Sequence, residues 1–299
     1  MSKLEGLCPP IVTLFDSDGK IDLDAMKQHA EFLLAGGVDG LCYLGTSGEF
    51  GTLTQQEKLS VIRSMTPYIN GRARVIIGIG DTCLANSLEL AEAAEEAGAD
   101  AVLVLPPYFS VYAEKNYEAY FAAVARGTKL PVVLYNFPAL TGYDLSPSLV
   151  RRLAQDHPNI RGVKDTVPET EHLKEMIRMT EDIPDFSVFC AYETQALEMI
   201  PGGAAGLINA TANFAPEVSA AFLKACRAGD KNGAGEAFRK MTTAAQVYEQ
   251  AQPLLLAVKE AVYQKVTGEA GAERLPGLPL DEKHKEAVKN ILNELSENL

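Results

Sequence analysis

Residues 131–166 read PVVLYNFPALTGYDLSPSLVRRLAQDHPNIRGVKDT. Two apolar runs in this stretch have the composition of strands, and each ends in one reactive side chain. Val132-Val133-Leu134 delivers Tyr135, and Ile160-Arg161-Gly162-Val163 delivers Lys164. Between them lie a Pro/Gly turn, Phe137 to Gly142, and a helical segment opened by Leu145-Ser146-Pro147 that runs to about Gln155. Strand, helix, strand is a βαβ unit, which makes the two strands parallel neighbours about 5 Å apart. A phenol and an amine at the same ends of adjacent strands converge on one bound molecule. That pairing suits a lysine forming a Schiff base with a ketone and a tyrosine moving protons beside it.

The same alternation extends through most of the chain. Apolar, β-rich segments fall near 9–15, 39–44, 74–79, 101–105, 131–135, 160–163, 186–190 and 204–208, and the first seven start about 26 to 35 residues apart. Helix-period stretches such as 23–35 and 87–97 fill the gaps, so a parallel sheet covered by helices is expected. Eight units predict a (β/α)₈ TIM barrel over 1–229, with reactive residues at the C-terminal strand ends. An open doubly wound sheet would instead place a phosphate-binding fingerprint after the first strand, where Leu14 to Gly19 forms only a polar turn. Residues 230–299 contain no convincing strand. They predict a C-terminal helical extension, with helices near 231–250, 253–267 and 281–297 punctuated by 269–279.

Composition narrows the function classes. An apolar content of 47% supports a large core, and a net charge of −13 argues against a general nucleic-acid or anionic-membrane surface. No apolar run reaches the roughly 18 residues of a membrane span, and MSKLEGLCPP lacks a signal-peptide core. Five scattered cysteines without a CxxC pair predict reduced, mostly buried thiols and a cytoplasmic protein. The four histidines, His29, His157, His172 and His284, lie in helical, polar surroundings and share no ligand spacing, so no metal site is expected.

Several further residues carry chemistry. After the second strand, Gly45-Thr46-Ser47-Gly48-Glu49 offers hydroxyls and backbone N–H groups suited to a small carboxylate, or simply a common βα turn. Glu49 is expected to cap a helix start. Lys164 in a barrel mouth is costly to keep charged unless paired. A salt bridge to Asp165 or Glu169 is the competing explanation, weakened because neighbours on a strand face opposite ways. Tyr135 on its own also fits a core aromatic. Gly78, Gly80 and Gly206 suggest close approach of backbone to a ligand, and Ile208 has a carbonyl to offer.

GTSGE, YNFPALTG and GVKDT, in this order and spacing, resemble the class I pyruvate aldolase superfamily of dihydrodipicolinate synthase and N-acetylneuraminate lyase. The resemblance spans nearly the whole chain. It implies a (β/α)₈ barrel, a homotetramer, small-molecule 2-oxo acid and aldehyde substrates, and no metal or organic cofactor. Lys164 matches the Schiff-base lysine and Tyr135 the proton-relaying phenol; Thr46 and Ser47 match the carboxylate-binding pair, and Ile208 the residue whose carbonyl sits at the back. Thr166 falls where it shapes the aldehyde half of the pocket. Leu140 replaces the arginine of the lysine-pathway synthases, and Asp165-Thr166 replaces their Glu-Ala; both changes look most like 2-keto-3-deoxygluconate aldolases. Phe109 stands where synthases carry a tyrosine that reaches the neighbouring subunit, so that relay would fall to Tyr108 or Tyr112. A dehydratase using the same Schiff base and a non-enzymatic binding barrel are the other classes open to such a chain.

Overall fold

Alternation within the strands decides which side chains enter the barrel. In the computed structural model, which describes residues 3–268 and 271–297, the strands are β1 (Gly6–Leu7), β2 (Gly40–Tyr43), β3 (Arg74–Gly78), β4 (Ala101–Val104), β5 (Val132–Asn136), β6 (Ile160–Asp165), β7 (Ser187–Cys190) and β8 (Gly206–Leu207). All seven ladders between them are parallel, in the order β1-β8-β7-β6-β5-β4-β3-β2. The ring closes between β2 and the chain just after β1. There Cys42 N donates to Pro9 O (3.0 Å) and Ile11 N to Cys42 O (2.8 Å). Cys42, Ile76, Leu103, Val133, Tyr135, Phe189 and Ile208 share one buried cluster inside the barrel. Leu41, Ile77, Val102, Val132, Leu134 and Val163 join the larger cluster under the helices. The period-2 pattern thus separates two cores and turns Tyr135 inward.

The first strand is shorter and earlier than the 9–15 run predicts. Pro9 and Pro10 have no N–H to give a ladder, so regular pairing ends at Leu7 and only a bridge at Pro10 continues it. Local signals elsewhere hold. Ser146 caps Pro147–Asp156 by accepting from Leu149 N (3.2 Å), and Thr54 with Glu57 forms a capping box on Gln55–Ile69.

Beyond the barrel lie helices Lys231–Ala245, Leu255–Val262 and Glu282–Glu297; the turns Gln246–Gln250 and Tyr263–Thr267 change helical pitch where unbroken helices were expected. Their buried faces, through Val247, Val258 and Val288, belong to the same apolar cluster as the barrel's outer core. Glu269 and Ala270, at the start of the expected 269–279 break, lie outside the described residues. Among the described residues no helix is long and apolar enough to cross a membrane.

The histidine expectation changes at one residue, and the thiols are mostly buried as expected. His29 is fully buried rather than polar-faced; its Nε2 lies 2.8 Å from Asn213 O, and burial pushes its pKa down to about 4. Cys8, Cys42 and Cys190 are buried and all five thiols are free, but Cys83 is exposed.

Candidate active site

The register of β5 and β6 places Tyr135 directly beside Lys164, and Asn136 beside Asp165. Lys164 Nζ sits 4.2 Å from the Tyr135 ring centroid, and Tyr135 OH lies 3.1 Å from Thr46 Oγ1. Both strand side chains are buried, and both face a cavity of about 830 Å³ at the C-terminal ends of the strands. Thr46, Ser47, Thr166 and Ile208 line the same cavity. Thr166 Oγ1 is buried without a hydrogen-bond partner among the described residues, while its N–H donates to Asn136 O (2.9 Å). Gly45 and Tyr108 are not among the lining residues. Gly45 is one step back in the turn, and Tyr108 packs edge-on against Phe50 (6.0 Å between centroids).

The competing salt bridge does not form: among the described residues Lys164 pairs with neither Asp165 nor Glu169. Asp165 points away, as strand alternation requires. Its Oδ1 accepts from Asn136 Nδ2 (2.8 Å) and its Oδ2 lies 2.8 Å from His172 Nδ1. Asn136 Nδ2 also donates to Asp144 Oδ1 (2.8 Å), and Asp144 Oδ2 is 3.4 Å from His172 Nε2. Asp144 and Asp165 push His172 up to about 10, so the ring is an imidazolium holding two carboxylates at neutral pH. This network braces, from outside the barrel, the two strand ends that carry Tyr135 and Lys164. The spacing of the histidines along the chain carries no sign of this role for His172.

Glu49 takes the N-cap position expected of it, before the short turn Phe50–Thr52, but its side chain does not cap. It adopts a left-handed backbone (φ 55°) and its side chain makes no cap hydrogen bond; its carboxylate instead meets the buried Lys259 (Oε1–Nζ 2.5 Å). The glycines have structural causes. A Cβ on Gly78 would lie 2.1 Å from Leu44 O, one on Gly206 would lie 2.0 Å from Gly6 O, and one on Gly80 would meet the Leu105 side chain. Protein, rather than ligand, approaches them.

The far wall of the cavity was not anticipated. Tyr192 and Glu193, just after β7, face it together with Tyr248, residues 249–255 and His284. Glu193 Oε1 accepts from Tyr248 OH (2.6 Å), Thr211 Oγ1 (2.9 Å) and Asn209 Nδ2 (3.2 Å), and burial together with Glu193 raises the Tyr248 pKa. The strand-end rule that points to Lys164 applies equally to Tyr192 and Glu193. No local signal marks 249–255 or His284. Exposed Leu140 lines the entrance. Among the described residues no group of three or more His, Cys, Asp or Glu could hold a metal ion. Cys42, near Lys164, is kept a thiol by burial, its pKa pushed up to about 11.

The pattern of the dihydrodipicolinate synthetase family matches residues 3–295. The chain belongs to that family. As a family member it is 38% identical over 293 residues to YagE of Escherichia coli strain K12, covering 97% of this chain and 96% of YagE, a protein provisionally named a 2-dehydro-3-deoxy-D-gluconate aldolase. YjhH of the same strain, named a probable 2-dehydro-3-deoxy-D-pentonate aldolase, is 39% identical over 260 residues, covering 87% and 86% of the two chains. The 4-hydroxy-tetrahydrodipicolinate synthase of Methanocaldococcus jannaschii is 32% identical over 292 residues, covering 97% and 98%. The crystal structure of YagE in complex with pyruvate superposes with a TM-score of 0.94 at 37% identity, covering 98% of this chain and 99% of that one. The chain is thus an enzyme of the lyase class on a (β/α)₈ barrel.

Proposed function

We propose that this lyase is a Schiff-base aldolase that cleaves a 2-oxo-3-deoxy sugar acid, 2-keto-3-deoxygluconate foremost, into pyruvate and glyceraldehyde. The observation that carries the reading is the adjacent Tyr135–Lys164 pair, with the Thr46 hydroxyl at the phenol, inside one large cavity. The Lys164 amine adds to the C2 ketone, and the carbinolamine loses its hydroxyl as water with the proton of the Tyr135 phenol, which leaves an iminium and a phenolate. That cation accepts the electron pair of the C3–C4 bond as Tyr135 takes the C4 hydroxyl proton and the aldehyde leaves. Protonation of the enamine at C3 and hydrolysis by water then release pyruvate and restore the amine. Thr46 and Ser47 hold the carboxylate, the Ile208 carbonyl closes the back, and Thr166, with its unpaired hydroxyl, takes a hydroxyl of the aldehyde half. No metal or organic cofactor enters this scheme.

Charge along the wall favours an uncharged polyol as the aldehyde half. Leu140 stands at the entrance, the lining includes no arginine, and Glu193 and Glu249 oppose a second carboxylate or a phosphate. The relatives named for deoxy sugar acids support the same choice. The five free thiols support a cytoplasmic setting. Exposed Phe109, Val111 and Tyr112 support burial of that loop in a homotetramer, with residues 1–229 as the barrel and 230–299 as its extension; sedimentation velocity would report the assembly.

Pyruvate release from 2-keto-3-deoxygluconate, beside N-acetylneuraminate and 4-hydroxy-2-oxoglutarate, tests the assignment. Release from the first with equimolar glyceraldehyde is expected, and turnover without an aldehyde would mean a dehydratase. Borohydride should trap pyruvate on the wild type and not on Lys164→Ala; trapping on both would refute the Schiff-base assignment.

A further inference from the structure

Lys259 is a fully buried cation outside the scheme above. It lies on helix Leu255–Val262, within the C-terminal extension, and its ammonium ends between Glu49 Oε1 (2.5 Å) and Glu273 Oε2 (2.6 Å), 4.7 Å from the Phe15 ring centroid. Burial raises the Glu273 pKa, which reflects how dry this spot is. Desolvation makes such a cluster a poor device for stability alone, since apolar residues of similar volume often serve as well. Its position suggests another use.

Glu49 ends the turn that begins with Thr46 and Ser47. Glu49 N donates to Thr46 O (3.1 Å), Thr52 N and Oγ1 both donate to Glu49 O, and Thr13 Oγ1 donates to Gly48 O (2.7 Å). The turn is flanked by left-handed residues on both sides, Leu44 (φ 59°) and Glu49 (φ 55°), a conformation that costs free energy in residues with a side chain. Something beyond local preference must hold it. Lys259 also lies directly downstream of residues 248–255, the far wall of the cavity. One ion pair therefore ties the carboxylate-holding turn to the opposite wall.

We infer that Lys259 is a positioning residue: through Glu49 it fixes the Thr46–Ser47 turn at the distance from Lys164 that a 2-oxo acid needs. The inference rests on the Schiff-base reading above. Loss of the pair should let the turn relax, weakening capture of the carboxylate while leaving the amine and phenol in place.

The test is borohydride trapping over a range of pyruvate concentrations, with half-saturation and trapped fraction at saturation read separately. Glu49→Gln and Lys259→Met should raise the half-saturating concentration roughly tenfold or more, since a misplacement of about 1 Å weakens such contacts strongly. The trapped fraction at saturation should stay near that of the wild type. Arg274→Ala is the structural control. It removes the bridge from the same C-terminal segment to Glu57 and Gly19 O, and the guanidinium's contact with the Phe15 ring, but no hydrogen bond or ion pair to residues 44–49, so its half-saturation should stay within about twofold of the wild type. A folded Glu49→Gln protein with unchanged half-saturation overturns the inference, as does an equal shift in Arg274→Ala. If Lys259→Met is recovered unfolded, Glu49→Gln decides alone. Wild-type protein that traps no pyruvate refutes the Schiff-base reading itself, and the two failures are thereby distinguishable.

Discussion

Replacing Gly78 with alanine should damage the site from behind. Gly78 ends β3 and has no positive φ, so alanine meets no backbone objection there. Its Cβ, however, would stand 2.1 Å from Leu44 O, 2.6 Å from Leu44 C and 3.1 Å from Gly45 N, and all three are backbone atoms. Relieving the first contact to about 3.0 Å moves the Leu44 carbonyl by about 0.9 Å, the difference of those distances. Leu44 is two residues before Thr46, so the displacement passes to the hydroxyls proposed to hold the substrate carboxylate. Overpacking of this kind costs about 1–3 kcal/mol, against a gain of about 0.4–1 kcal/mol from the stiffer unfolded chain. A net loss of about 1–2 kcal/mol is expected in urea unfolding, with at least a tenfold rise in KM for the 2-oxo acid. If Gly78→Ala unfolds within about 0.5 kcal/mol of the wild type and keeps its KM, Leu44 yields freely, and the claim that this contact sets the turn is wrong.

Tyr135→Phe removes the phenol but keeps the ring beside Lys164, so turnover should fall by roughly 10²–10⁴ while borohydride still traps pyruvate; a kcat near that of the wild type would dismiss the phenol as the acid/base. His172 carries the pH dependence. Its folded pKa, about 10, lies above the ordinary 6.5, so the stability it contributes is complete below about pH 6.5 and is lost as pH rises through 10. The unfolding free energy of the wild type in urea should therefore drop between pH 7 and 10 by more than that of His172→Gln, by on the order of 2 kcal/mol after allowance for solvent screening. Parallel curves for the two proteins would remove the imidazolium from the account.

The parts of this protein written in the sequence are those set by neighbours along the chain. The beat of apolar runs and helical stretches specifies a barrel, because parallel strands buried on both faces need continuous apolar runs and crossover helices. Alternation then puts Tyr135 inside and turns Asp165 away from Lys164, and the strand-end rule locates the pair proposed to react. What the sequence leaves open depends on partners far along the chain. Gly78 reads as a ligand contact until Leu44 O is seen against it, and Gly206 until Gly6 O is. The partner of the Glu49 side chain is hidden until Lys259, 210 positions later, reaches it; His172 reads as a histidine in helical, polar surroundings until Asp144 and Asp165 close on it. Residues 249–255 and His284 become a cavity wall only when the extension packs on the barrel. Local preference has a range of a few residues, so it chose the elements and the strand ends. The charges that brace the site, and the wall facing it, were chosen by packing across the whole chain.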